Sequence, residues 1–204
     1  MLTVIIPTLN CERTLVPTLA MLVQGAMSGL VREVVVADGG SSDATLEIAD
    51  HAGCTLAPSA GATGGAEAAG AGAALGVRLK AAAAAARAPW LLFLRPGTVL
   101  EATWLDEVAP FIDEAERDSV RSAAVFTKQA SLREPYPGVM LSLIAFVLSR
   151  RAHPDQGLLI GRAHYDEVGG HSATAADPEA ELLARLGRRR IVVLRSGARR
   201  SGKI

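Results

Sequence analysis

The sequence predicts an α/β fold in which helices flank a mostly parallel β-sheet. Two observations lead to this prediction. Short runs of β-branched and other apolar residues alternate with segments of helical periodicity, and few polar residues interrupt these runs. A strand that is apolar on both faces is typical of a parallel sheet with helices on each side. The 204 residues suffice for one core, so we expect a single domain over 1–204.

The first half of the chain repeats the order strand, helix, strand, helix. Pro7 ends the first apolar run, and Leu15, Leu19 and Leu22 share one face of the next segment. The predicted elements are a strand LTVIIP, a helix from Glu12 to Met27, a strand REVVVAD, a turn DGGSSD, a helix ATLEIADHAG and a short strand CTLAP.

The second half begins with a low-complexity Ala/Gly tract over residues 57–76, which we interpret as a mobile loop or a surface insertion. Alanine propensity then predicts a helix in VRLKAAAAAARA, and Pro89 separates it from the buried strand 90–94. The remaining predictions are a helix EATWLDEVAPFIDEAERD, a strand SAAVFT, a loop HPDQGLLIG, helices near AHYDEVGG and PEAELLARLG, and a strand IVVLRS.

Composition argues for a cytoplasmic protein without a nucleic-acid partner. The 21 basic and 21 acidic residues balance, whereas nucleic-acid binders usually carry a basic surplus. Two cysteines and no apolar leader fit a reducing compartment. The run VMLSLIAFVLS, 139–149, is shorter than the roughly 20 residues of a membrane-spanning helix. We expect a buried helix there; the alternative is a peripheral membrane contact, because the flanking RRAH is basic.

Polar residues cluster where three predicted strands end. They are Pro7–Asn10 after the first strand, Asp38–Asp43 after the second and Arg95–Thr98 after the strand WLLFL. In an open α/β sheet, ligands bind beyond the carboxyl ends of the strands. Asp38 could accept from a ribose hydroxyl or a base N–H, and Gly39 would let the backbone approach the ligand. The alternative for DGGSSD is a turn followed by a helix cap.

The chain resembles glycosyltransferase family 2, whose members have a GT-A fold. The resemblance lies in three segments that occur in the family's order, VIIPTLN, EVVVADGGSSDATLEIA and LKAAAAAARAPWLLFL. DQG at 155–157 and VGG at 168–170 extend the resemblance. It implies a nucleotide-binding, Rossmann-type sheet and a nucleotide-sugar donor, UDP- or GDP-linked. By the same resemblance, the donor-site positions are Pro7, Thr8, Asn10, Asp38 and Asp43. Lys80 falls where many members have Asn, and after Arg95 it is the second candidate cation for the donor diphosphate.

The resemblance fails at the metal-binding motif. Family members carry an Asp-x-Asp-like signature, often His-Ala-Asp-Thr after LLFL, whose aspartate binds the Mn²⁺ or Mg²⁺ that bridges the donor diphosphate. That aspartate falls on Gly97, which offers no side-chain oxygen to a hard divalent ion. Arg95 could neutralise a diphosphate instead, since guanidinium pairs well with phosphate. The alternative is that Arg95 packs over the sheet edge beside an ordinary turn.

The catalytic base also departs from the family pattern. Inverting members use a carboxylate, commonly in a Glu-Asp pair that opens a late helix, and the register puts Pro178 and Glu179 on that pair. Glu179 is therefore the candidate base, with Asp177 as the rival. The alternative is that Asp177-Pro178-Glu179 simply begins a helix.

The leading hypothesis is thus a glycosyltransferase-like enzyme that transfers a sugar with inversion to an unknown acceptor. One alternative is an inactive protein on the same fold that binds a nucleotide-sugar or a partner. Another is a nucleotidyltransferase, for which PTLNCERT offers only Arg13 as the basic residue of an activating loop.

Overall fold

The computed structural model describes residues 1–58, 70–118, 123–129, 152–187 and 190–201. The elements in chain order are β1 (Leu2–Thr8), α1 (Glu12–Met27), β2 (Val31–Asp38), α2 (Thr45–His51), β3 (Thr55–Leu56), α3 (Gly70–Ala85), β4 (Trp90–Phe93), β5 (Thr98–Leu100), α4 (Trp104–Arg117), β6 (Ala123–Lys128), a 3₁₀ helix (Pro154–Gln156), β7 (Leu158–Gly161), α5 (Arg162–Glu167), α6 (Pro178–Leu186) and β8 (Ile191–Arg200).

These strands form one mixed sheet in the order β3-β2-β1-β4-β7-β6-β8-β5. The pairs β1–β2, β1–β4, β2–β3 and β6–β8 are parallel, whereas β4–β7, β6–β7 and β5–β8 are antiparallel. Parallel pairing puts the carboxyl ends of β1, β2 and β4 on the same edge of the sheet. The polar segments that follow these three strands therefore meet there.

The sheet is buried on both faces, as the apolar strands predict. Along β1, Val4 and Ile6 face one core layer with α1 and α4, while Ile5 faces the other layer with α3 and α6. This alternation follows from the two-residue period of a strand. All seven residues of β1 are buried, so the strand that leads to Thr8 is anchored from both sides.

Helix α3 is brought unusually close to the start of α6. A Cβ atom placed on Gly76 would lie 1.8 Å from the backbone oxygen of Ser172 and 3.1 Å from Cβ of Pro178. Only a residue without a side chain permits this approach. The contact fixes the distance between α3 and the beginning of α6, where Glu179 lies.

Strand β8 returns the chain to the segment that follows β4. It pairs with β5 from Thr98↔Arg200 to Leu100↔Ala198, and the amide of Ser201 donates to the carbonyl of Gly97 at 2.7 Å. The end of β8 therefore lies directly beside Arg95–Gly97.

Several predicted boundaries were wrong, although the predicted fold class is confirmed. Helix α3 begins at Gly70, so the tract that was predicted to form a loop is helical from there on; its residues 59–69 lie outside the described ranges. LLIG was assigned to a loop but is the strand β7, and the strand β5 was not predicted.

The predicted apolar helix at 139–149 also lies outside the described residues. Among the helices that the structure describes, none combines the length and apolar character needed to span a bilayer.

Candidate functional site

A cavity of about 660 Å³ opens where β1 and β4 end. Its walls come from the loop after β1, the beginning of α1, helix α3, the segment after β4, the first turn of α6 and the end of β8. The lining residues are Pro7, Thr8, Leu9, Asn10, Cys11, Thr14, Leu75, Arg78, Arg95, Pro96, Glu179, Arg200 and Ser201.

Asp38 organises the loop beside this cavity and is saturated by its own surroundings. Its Oδ1 accepts from the hydroxyls of Thr8 at 2.8 Å and Ser41 at 2.5 Å, and its Oδ2 accepts from the amides of Gly40 and Ser41, both at 2.8 Å. Burial raises the pKa of Asp38, but these hydrogen bonds outweigh burial and hold it below its ordinary value. A carboxylate has about four acceptor positions, and here all are occupied.

Asn10 and Asp43 connect the two loops. The backbone N–H of Asn10 donates to the Ser41 hydroxyl at 2.9 Å, and the side-chain Oδ1 of Asn10 accepts from the backbone N–H of Ser42 at 2.8 Å. Asn10 has φ of 46°, a left-handed conformation that Asn tolerates better than most residues. Asp43 accepts from the amides of Glu12 and Thr45 at 3.1 and 3.0 Å. It therefore lies at the beginning of α1 and α2 and does not line the cavity.

Arg95 lines the same cavity and belongs to a network of four charges. Its Nη2 and Nε contact Oε2 of Glu179 at 2.6 and 2.8 Å, and its Nη1 lies 3.2 Å from Oδ1 of Asp155. Arg200 contacts the same Asp155 oxygen at 2.7 Å. Two guanidinium groups thus share two carboxylates. The charge of Arg95 is offset within the protein rather than left free.

Glu179 combines burial with a cation on one oxygen only. The residue is 8% exposed, and burial raises the pKa of Glu179 above its ordinary value even though Arg95 opposes the shift. Both hydrogen bonds from Arg95 reach Oε2; Oε1 accepts none from the residues that the structure describes. A buried carboxylate with a raised pKa and one open oxygen at a cavity wall is suited to accept a proton.

Asp177 is placed differently. It is exposed, and its Oδ1 accepts from the amide of Ala180 at 3.0 Å, which makes it the N-cap of α6. Pro178 follows in the first turn, as the helix-start interpretation predicts. The structure therefore places Glu179, and not Asp177, among the cavity-lining residues.

The cation that α3 brings to the cavity is Arg78, which the sequence analysis missed. Lys80 is exposed, does not line the cavity and donates to the carbonyl of Gly169 at 3.2 Å. Residues two positions apart on a helix point in nearly opposite directions, so Arg78 and Lys80 cannot share a face. Arg78 lies over the backbone of Gly39. Burial lowers the pKa of Arg78, against the opposing charge of Asp38.

The residues around the cavity do not fit a divalent metal ion. Gly97 has φ of +85°, and its amide donates to the carbonyl of Thr14 at 2.9 Å. The backbone of Gly97 thus forms part of a turn, and the residue has no side chain that could bind a metal ion. The nearby carboxylates of Asp155 and Glu179 are both bound to arginines. Across the described ranges, no three His, Cys, Asp or Glu residues converge as metal ligands do.

Comparison with known sequences confirms the resemblance in the sequence. The model of a family described as "Glycosyl transferase family 2" matches residues 3–176. The match includes the loops at Thr8, Asp38 and Arg95 and ends just before Asp177. No curated protein matches the chain.

Solved structures with a similar fold include those of two glycosyltransferase-fold proteins. One is glucosyl-3-phosphoglycerate synthase from Mycobacterium tuberculosis, in complex with Mn²⁺, UDP and glucosyl-3-phosphoglycerate; the identity is 18%, the TM-score is 0.64, and the match covers 100% of this chain and 73% of that one. The other is S. aureus TarS 1–349 in complex with UDP-GlcNAc, with 22% identity, a TM-score of 0.67 and coverage of 100% and 59%. At these identities the likeness confirms the GT-A fold.

Proposed function

The chain belongs to glycosyltransferase family 2, and we propose that it transfers a sugar from a UDP- or GDP-linked donor to an acceptor hydroxyl. The acceptor is unknown. The observation that carries the proposal is Glu179 on the cavity wall, buried, held by Arg95 through Oε2 and unbonded at Oε1 within the described part of the chain. Of the two structures of similar fold named above, the synthase was solved with UDP and TarS with UDP-GlcNAc.

The proposed donor site has two ends. Pro7, Thr8 and Asn10 line the nucleoside end, where Thr8 also donates to Asp38. Because Asp38 is saturated by its own loop, its main role in this proposal is to hold Thr8 and the backbone of residues 39–41 in place. The sugar end contains Arg95 and Glu179.

The proposed reaction inverts the anomeric carbon. Oε1 of Glu179 takes the proton of the acceptor hydroxyl while the acceptor oxygen attacks the anomeric carbon. The bond from that carbon to the diphosphate oxygen breaks on the opposite face, and the nucleoside diphosphate leaves with the electron pair. A positioned general base commonly contributes about 10²- to 10⁴-fold to the rate. In this proposal Arg95 holds the Glu179 carboxylate through Oε2 and so orients Oε1 towards the acceptor hydroxyl.

We further propose that the usual Asp-x-Asp metal ligand takes no part. The support is chemical: Gly97 replaces the aspartate, and Arg95 binds the carboxylates of Asp155 and Glu179. The same observation also favours a second candidate function, a protein that binds a nucleotide-sugar without turning it over.

The test is donor hydrolysis and transfer, measured by nucleoside diphosphate release from UDP- and GDP-linked sugars, with and without EDTA. We expect release by the unaltered protein, no effect of EDTA, and a loss of about 100-fold in Glu179→Gln. Asp177→Asn is the matched control, because that residue caps the helix outside the cavity. Donor binding without release from any donor would favour the non-catalytic alternative, and a strict need for Mn²⁺ or Mg²⁺ would contradict metal independence.

A further inference from the structure

Arg78 differs from the other two arginines of the cavity in having no counter-charge bound to it. Arg95 and Arg200 contact Glu179 and Asp155. The guanidinium of Arg78 makes no hydrogen bond or ion pair with any residue in the described ranges, and its Nε is buried without a partner. A buried donor left unpaired is unfavourable, so proteins rarely keep one without a ligand or a water molecule for it.

The position of Arg78 is built into the loop after β2. A Cβ atom on Gly39 would lie 1.6 Å from Nη1 of Arg78 and 2.8 Å from its Cζ. The guanidinium therefore occupies the space that any side chain at residue 39 would fill. Asp38 attracts it electrostatically, yet Asp38 already accepts four hydrogen bonds from its own loop and the Thr8 hydroxyl. Asp38 therefore offers Arg78 no free acceptor position, and Nη1 and Nη2 of Arg78 donate to no residue in the described ranges.

The chemistry of that ligand follows from the side chain. A guanidinium presents several N–H donors in a planar fork that matches two oxygens of a phosphate. Arg95 and Arg200 are paired with carboxylates, so Arg78 is the cavity arginine, among the residues described, to which no carboxylate binds directly. Arg78 also lies beside Gly39, in the loop after β2 that the proposed function places next to the nucleoside.

We propose that Arg78 binds the phosphate next to the nucleoside of the donor. This inference rests on the proposed function, because it assigns a residue to the donor that the function requires. It gives Arg78 a binding role and leaves the proton transfer to Glu179. It also gives Gly39 a role: the missing side chain makes room for the cation.

The test compares uridine, UMP and UDP as ligands of Arg78→Gln, by calorimetry for the nucleotides and ligand-observed NMR for uridine. UMP and UDP should each bind about 10- to 100-fold more weakly than to the unaltered protein, the usual effect of losing a charge-assisted hydrogen bond. Uridine affinity should stay within about twofold, because no phosphate is present to lose its contact. Arg78→Lys should give intermediate affinities, since a point charge replaces the fork.

Arg87→Gln is the matched control, because Arg87 is 72% exposed and pairs with Glu33 outside the cavity. Thermal melting of each variant checks that it is folded. Equal weakening of uridine, UMP and UDP, weakening of UDP alone, or no weakening in a folded Arg78→Gln would each overturn the phosphate assignment. If the unaltered protein binds none of these ligands nor their guanosine counterparts, the proposed function itself fails.

Discussion

Replacing Arg95 with Gln should destabilise the protein, and the loss should depend on pH. The change removes the cation that contacts Glu179 at 2.6 and 2.8 Å and Asp155 at 3.2 Å. Asp155 keeps Arg200 at 2.7 Å. Glu179 is left with no cation among the described residues, at 8% exposure. The variant therefore isolates a buried carboxylate.

The size of the effect follows from the burial of the two partners. Removing one partner of a fully buried ion pair costs about 3–5 kcal/mol, because the other charge stays desolvated. The side chain of Arg95 is 26% exposed, so water screens part of the interaction. We therefore expect about 2–3 kcal/mol, below the range for full burial.

The sign of the pH dependence comes from Glu179. Its pKa is raised in the folded protein, and without Arg95 the pKa should rise further. A group whose folded pKa lies above its unfolded value binds more protons in the folded state. Stability then falls as pH rises from the unfolded pKa through the folded one. The difference between Arg95→Gln and the unaltered protein should be small near pH 4 and fully present at pH 8.

Urea unfolding at both pH values measures this difference, and Glu179→Gln with the double variant completes a double-mutant cycle. The double variant should be more stable than Arg95→Gln alone at pH 8, since it carries no isolated charge. The same destabilisation at pH 4 and pH 8, or a coupling energy near zero, would refute the role assigned to this ion pair.

Three further substitutions test other parts of the site. Asp38→Asn should lower the free energy of unfolding in urea by about 1–3 kcal/mol, because the side-chain NH2 group that replaces one carboxylate oxygen cannot accept hydrogen bonds such as those from the amides of Gly40 and Ser41; an unchanged midpoint would contradict the role of Asp38 in the loop. Gly97→Asp should lower the free energy of unfolding by about 1–2 kcal/mol, because the φ of +85° at this position disfavours a residue with a side chain. The variant should not bind Mn²⁺ in calorimetry. Gly76→Ala should lower the melting temperature by several degrees, about 1–3 kcal/mol of overpacking, because its Cβ would lie 1.8 Å from Ser172 O; an unshifted melt would show that α3 is free to move away from α6.

The first half of the fold was predictable because its signals are local. The helix over Glu12–Met27 was predicted at its observed bounds, since its apolar residues recur at helical spacing. β7 was missed because four residues, LLIG, carry no periodicity that separates a strand from a loop. These residues form a strand because they pair antiparallel with β4 and β6. That pairing depends on the tertiary fold and leaves no local signal in the sequence.

The site was predictable in its loops and not in its helix. The segments at Thr8, Asp38 and Arg95 were found because residues after strands meet at one edge of the sheet. Arg78 was missed because α3 is alanine-rich and has no distinct apolar stripe, so its inward face could not be assigned from the sequence. The one available signal was the helical period, which puts Arg78 and Lys80 on nearly opposite faces of α3.

The return of β8 to Gly97 has a consequence for how the site is acquired as the chain folds. Thr8 and Asp38 join neighbouring strands, and a chain emerging from the ribosome can bring them together early. Arg95 contacts Asp155 and Glu179, which lie 60 and 84 residues away in sequence. Arg200 donates to the carbonyl of Pro96, 104 residues away. Contacts between residues that are far apart in sequence form slowly, because the chain loses conformational entropy in closing the loop before the contact stabilises it. The loops after β1 and β2 can therefore assemble first, and the network around Arg95 is completed only after residue 200 has been synthesised.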